Sequence, residues 1–318
     1  MSSSMSRFVS LLGLAALTTL SATGAALPNL PAPPPLPPPP QLPTPPQLPS
    51  LPQLPQLLPP PAPPPPPILP PQICVSGCDV TQAQRALVFV NLVSQGDHYK
   101  PLYRFFEEGG RVTTATLRPL YGEYVELSGN GATAQALVDA VVRLEQKPNL
   151  RAIDVIIVLH GDTDSTHRNG SLLFADRAWT IDHGTDKITL ADLFRRRRHE
   201  ICAGKSDCMD ALSAKDRVLM STACYGETQA PGWQKIGFTA IDGSRGVYAD
   251  SGASYPTLVE AWGKGYAFGD VVSRGNRADV GHVWDAWARL LGFSDVDSTR
   301  VVSGGSNANG MRIWSKPR

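Results

Sequence analysis

Between Pro28 and Pro71 lie 25 of the chain's 31 prolines and not one charged residue. Each proline fixes φ and removes a backbone donor, so this stretch is barred from helix interiors and central strands. It is expected to be disordered relative to any core and to run as polyproline II, on the order of 130 Å long if fully extended at about 3.1 Å per residue. Residues 27–71 are therefore read as a spacer, suited to tethering a domain in the cell envelope, with a Pro-binding partner domain as a second use. A packed core must come from residues 72–318, enough for one sizeable domain.

The first 26 residues carry a single charge, Arg7, then the apolar run Phe8–Leu17 and the small residues Ala22-Thr23-Gly24-Ala25-Ala26. That is the plan of a secretory signal peptide, so a secreted or periplasmic location is expected. No later stretch is long and apolar enough for a membrane-spanning helix. Formal net charge is +1 and no dominant basic patch forms, which argues against nucleic acid as the partner. The one basic block, Arg195 to Arg198, reads as a solvated helix face or as a target for Arg-directed cleavage.

Within residues 72–318 three continuous apolar runs, Arg85–Leu92, Asp154–Leu159 and Arg217–Met220, have strand length and polar boundaries. Between the first two, Gly129-Asn130-Gly131 leads into a stretch where Leu137, Val141 and Leu144 recur at helical spacing. Strand, helix, strand with continuous rather than alternating runs predicts strands covered on both faces. The expected fold is a three-layer α/β/α sandwich with a mostly parallel sheet. After the second strand, residues 172–181 read as a hairpin, turning at Asp182-His183-Gly184 into a helix capped by Thr189. The segment "VWDAWARLLGF" (283–293) reads as a packing helix in a C-terminal part that is otherwise unexplained.

The chain has five cysteines. In an exported protein, local disulfides Cys74–Cys78 and Cys202–Cys208 are the simplest of three possible pairings, ahead of a zinc site built from the same four. Cys224 is left over, just past the third apolar run, and His160 ends the second. In an open parallel sheet, ligands bind beyond the carboxyl ends of neighbouring strands, so a thiol and an imidazole 64 positions apart can meet there as nucleophile and general base. The bland alternative for Cys224 is a small buried hydrophobe. A thiol–disulfide exchanger is disfavoured because Cys224 has no C-x-x-C neighbour.

The two halves, "DVIIVLHG" and "RVLMSTACYG", resemble the caspase-like cysteine peptidases, the group of caspases, metacaspases, legumains, clostripain, gingipains and separase. Asp182, "ITLADLF" and Lys215-Asp216-Arg217 between them also fit that order, and the resemblance covers about residues 85–269. It implies a caspase-like fold and a secreted cysteine endopeptidase with His160 and Cys224 as the catalytic dyad. The backbone N–H groups of Gly161 and Cys224 would hold the oxyanion. The substrate would be a protein or peptide, with no cofactor and no metal. The segment after Cys224 lacks the long acidic processing linker of caspases, which argues against cleavage into two subunits.

Such enzymes select substrates by charge in the first pocket, and the stretch after the cysteine offers Asp242, Arg245 and Asp250, of both signs. An acidic pocket would make Arg195–Arg198 a self-cleavage site. The competing class is a catalytically inactive caspase-like binding module tethered in the envelope. Of the other ionisable groups near the dyad, His160, Asp162, Asp164 and His167 lack the spacing of a helix-borne metal pair, so the last three are read as loop residues. His183 is a rival base but follows no buried run and reads as a turn residue. His282 is expected to pack on a helix, and His98 and His199 to face solvent.

Overall fold

The computed structural model describes residues 78–94, 100–164, 169–182, 188–280 and 282–317, all within one compact unit, Leu69–Arg318. The signal-peptide and proline-rich readings, Cys74, His98, His167 and His183 fall outside the described residues.

Strand β1 (Arg85–Leu92) lies between β2 (Glu123–Ser128) and β3 (Ala152–Thr163), and all three are parallel. On the far side of β3 follow β6 (Asp216–Ser221) and β7 (Ala240–Ser244), again parallel, and then β8 (Arg300–Gly304), which runs antiparallel to β7 at the edge. The path is β2-β1-β3-β6-β7-β8. Strands β4 (Gly170–Leu173) and β5 (Ala178–Thr180) form the expected hairpin and pair with the outer end of β3.

Every residue of β1 and of β6 is buried because both faces of the sheet are covered, which is why these strands read as unbroken apolar runs. On one face, Ala86, Val88, Val90, Ile153, Val155 and Ile157 pack against α2 (Ala134–Glu145), α3 (Leu190–Cys202) and α5 (Gly226–Ile236). On the other, Leu87, Phe89, Ile156, Val218 and Met220 meet α6 (Ser251–Gly263) and α7 (Phe268–Asn276), with Tyr103 and Phe106 of α1 (Lys100–Ala115) at the margin. The three-layer α/β/α sandwich with a mostly parallel sheet is thus the fold observed.

Local signals act where the residues place them. Thr133 caps α2 by accepting from the Ala136 N–H, and Thr189 caps α3 in a reciprocal box with Asp192. Helix α4 (Ser206–Ser213) is tied to α3 by the Cys202–Cys208 disulfide, while Cys78 is also disulfide-bonded.

Two expectations change. The basic block is not simply a solvated face. Arg198 is buried and ion-paired to Glu145 of α2 and Asp216 of β6, 2.5 and 2.6 Å away, while Arg195 and Arg197 remain on the helix surface. A helical segment whose last arginine is buried offers no extended chain for cleavage. Helix α8 (Val283–Leu290) does form, but it packs little. Val283, Trp287 and Leu290 are exposed, and the side chain of His282 at its N-terminus is exposed as well.

The amino-terminal end of the sheet is closed by the C-terminal segment. Arg217 pairs with Asp154 and donates to the carbonyls of Ile313 and Ser315, and Arg85 donates to Ile313 as well. The opposite, carboxyl end is where the cysteine lies.

Candidate active site

Hydrogen bonding between β3 and β6 pairs Ile157 with Ser221, and the Thr222 N–H continues the ladder to the Ile157 carbonyl at 2.9 Å. His160 and Cys224 both follow at this carboxyl end of the sheet, where the Gly161 backbone lies against that of Cys224. Strand β3 runs on past the sheet edge because the β4 hairpin takes over its pairing, His160 opposite Leu173. Cys224 sits in the turn from β6 into α5, followed by Tyr225 in the left-handed region at φ +56°. That turn ends the strand abruptly and leaves the cysteine partly exposed.

Glycine at 161 is demanded by the approach of the two backbones. A Cβ there would overlap the Cys224 carbonyl oxygen and lie 2.8 Å from the Cys224 nitrogen and 2.9 Å from the Ala223 Cβ. Gly243 and Gly226 make a similar close contact under the turn.

The imidazole of His160 is held on two sides. Its Nε2 lies 2.7 Å from the Val93 carbonyl, which can only accept, so Nε2 carries the proton and Nδ1 keeps its lone pair in the neutral ring. The ring of Tyr103 stands edge-on, centroids 4.7 Å apart. Burial lowers the pKa of His160, against the Val93 hydrogen bond, which raises it. His160 is therefore neutral near pH 7, the state a general base requires.

Burial acts on Cys224 in the opposite direction and raises its pKa. The Tyr248 N–H, 3.4 Å from Sγ, and the N–H groups of Cys224 and Gly161 oppose that rise, while the charge of Asp162 adds to it. At rest the pair is a neutral thiol and a neutral imidazole rather than an ion pair. Among the described residues Cys224 is the free cysteine.

The three candidate pocket residues are placed far apart in kind. Asp242 is fully buried in a two-pronged pair with Arg300, at 2.7 and 2.5 Å, and Arg300 also donates to the Ser221 carbonyl. It is a core group that braces β7 and β8 behind the cysteine strand. Asp250 is buried too, its backbone N–H on the Ser298 hydroxyl, with Ser254 donating to its carboxylate. Arg245 is exposed and lies 3.8 Å from Glu227. Asp162 is exposed, and Asp164 accepts from Asn169 at 2.5 Å.

Residue reading had no means of finding Val93, Tyr103, Tyr248, Ser244 or Gln229. Val93, Tyr103, Tyr248 and Gln229 meet His160 or Cys224, and Ser244 meets the Ala223 carbonyl beside it, through backbone groups or an aromatic edge, and neither leaves a spacing pattern. Among the described residues no group of three or more His, Cys, Asp or Glu side chains is placed to hold a metal ion.

No family model matches the chain, and no curated protein matches it by sequence. Among solved structures it is similar to the Drosophila initiator caspase Dronc, at 9% identity and a TM-score of 0.41, over 75% of this chain and 86% of that chain.

Proposed function

We propose that the protein is a cysteine endopeptidase in which Cys224 attacks a peptide carbonyl and His160 moves the proton. What supports this is that His160 near the end of β3 and Cys224 in the turn after the adjacent β6 come to the same end of the sheet, with the Val93 carbonyl leaving Nδ1 free as the base. Because both groups are neutral at rest, Nδ1 takes the thiol proton as Sγ bonds to the carbonyl carbon, and the carbonyl oxygen becomes the oxyanion. The N–H groups of Gly161 and Cys224, which already face the sulfur, suit that oxyanion. The imidazolium then protonates the leaving amine, and neutral His160 activates the water that opens the thioester.

The N-terminal leader and spacer make this an exported enzyme, secreted or periplasmic. Consistent with export, Cys202 and Cys208 are bonded. Selection at the first pocket falls to exposed charge, Arg245 or Asp162, rather than to Asp242, which the Arg300 pair occupies.

The deciding test is hydrolysis of a fluorogenic peptide library carrying Arg, Lys, Asp or Asn before the scissile bond, by wild type, Cys224→Ala and His160→Ala. Turnover by wild type that both substitutions abolish is the expected result. An inert wild type that still binds peptides through the same face would instead identify a caspase-like binding module.

A further inference from the structure

The backbone on either side of Cys224 is fastened in an asymmetric way. The peptide group between Cys224 and Tyr225 is held at both ends. Its carbonyl accepts from Gln229 Nε2 at 3.3 Å, and its N–H donates to the Gly246 carbonyl at 2.9 Å. The preceding group, between Ala223 and Cys224, is held at one end only, where the Ala223 carbonyl accepts from Ser244 Oγ at 3.2 Å. A trans peptide is planar with C=O and N–H opposed, so a carbonyl fixed on Ser244 aims the Cys224 N–H the other way. Ser244 is 0% exposed, so the other way is out of the core, and the Cys224 N–H lies against its own Sγ. Three of the four backbone polar groups around the cysteine Cα are thus bound by the protein, and the fourth is the one the chemistry needs.

Ser244 and Gln229 each make a second contact beside the nucleophile turn. The Ser244 hydroxyl shares its one proton between the Ala223 carbonyl at 3.2 Å and the Gly246 carbonyl at 3.0 Å, a bifurcated donation that ties the turn holding Cys224 to the loop that carries Tyr248. Gln229 is 1% exposed and spends its Nε2 on the carbonyls of Cys224 and Ser171, leaving its buried Oε1 without a partner. An orphaned buried acceptor costs about 1–3 kcal/mol, a cost that an apolar side chain of the same shape would not incur.

We propose that Ser244, seconded by Gln229, is a positioning residue that aims the Cys224 N–H at the oxyanion formed in acyl transfer. This rests on the peptidase reading above. Neither side chain touches substrate, and both act through the two peptide planes that flank the nucleophile.

The test separates oxyanion positioning from nucleophile reactivity. Alkylation by iodoacetamide is a displacement at carbon with no oxyanion, whereas peptide hydrolysis and binding of a peptide aldehyde both build one. Using the purified chain with its disulfides intact and the best library substrate of the wild type, Ser244→Ala is expected to lower kcat roughly tenfold to a hundredfold. KM and the iodoacetamide rate at Cys224 should stay within about twofold, and affinity for the matching aldehyde should fall in step with kcat. Gln229→Met keeps the side-chain length and removes the donor. It should give the same signature, and it stands in for Ser244→Ala if that variant lacks a cooperative unfolding transition.

An active wild type with unchanged kcat in both variants overturns the inference and leaves the peptidase reading standing. So does alkylation that slows in proportion to kcat, which would mean that the clamp holds the thiol rather than the amide. A wild type that hydrolyses no peptide in the library sinks the peptidase reading, and this inference with it.

Discussion

At the scale of single residues, burial sets the resting state of His160 and Cys224. The neutral resting pair predicts how Cys224 responds to pH. Only the thiolate alkylates, and burial raises the thiol pKa, so the iodoacetamide rate should keep climbing with pH past the ordinary thiol range near 8.5. Activity should fall on the acid side only below the ordinary imidazole value, since burial lowers His160. An alkylation profile that levels off below pH 7 would contradict the neutral pair and point to a preformed thiolate. Gly161 gives the steric counterpart. Gly161→Ala places a methyl into the Cys224 backbone, so kcat/KM should fall on the order of a hundredfold and stability by about 1–3 kcal/mol, measured by urea unfolding.

At the scale of elements, buried charge fixes how the helices and strands meet. Arg198 joins α3 to Glu145 of α2 and Asp216 of β6, so Arg198→Ala leaves two carboxylates buried without a cation and should cost about 3–5 kcal/mol in urea unfolding. Arg195→Ala, three residues earlier on the exposed face, should change stability by less than about 0.5 kcal/mol. Asp250, at the start of α6, is pushed up to about 7 by burial, against the opposing charge of Arg300 and with Asp279 and Asp285 adding to the rise. Its folded pKa lies above the unfolded one, so its contribution is fully present at acid pH and is lost as pH rises from about 4 toward 7. Comparing urea midpoints of wild type and Asp250→Asn across that range should show the variant without this part of the slope. Parallel slopes would place the titration elsewhere.

At the scale of the folded unit, the two ends of the sheet are finished differently. The amino-terminal end is sealed by residues 311–317, whose carbonyls accept from Arg85 and Arg217, with Met311 and Ile313 in the core and the Trp314 carbonyl accepting from Val80. Deleting residues 311–318 should therefore remove the cooperative urea transition rather than merely trim a tail. A truncated chain that unfolds at the wild-type midpoint would refute that. At the carboxyl end, β3 runs on past the sheet to Thr163, and Cys224 lies in the turn after β6, its backbone against Gly161.

What the sequence determined by itself was whatever depends on neighbours along the chain. Unbroken apolar runs at 85–92 and 154–159 announced strands covered on both faces. Gly129-Asn130-Gly131 and Thr189 marked helix starts, and histidine and cysteine after two apolar runs marked the candidate site. Tertiary structure decided what depends on residues remote in sequence. Asp242 looked like a pocket charge until Arg300, 58 positions on, paired with it in the core. Arg198 looked solvated until Glu145 and Asp216 closed over it, and 283–293 looked like a packing helix until its apolar face was found mostly in solvent. A side chain's charge and shape are written locally, but whether it meets water or a partner depends on which distant segment folds against it, and no periodicity carries that.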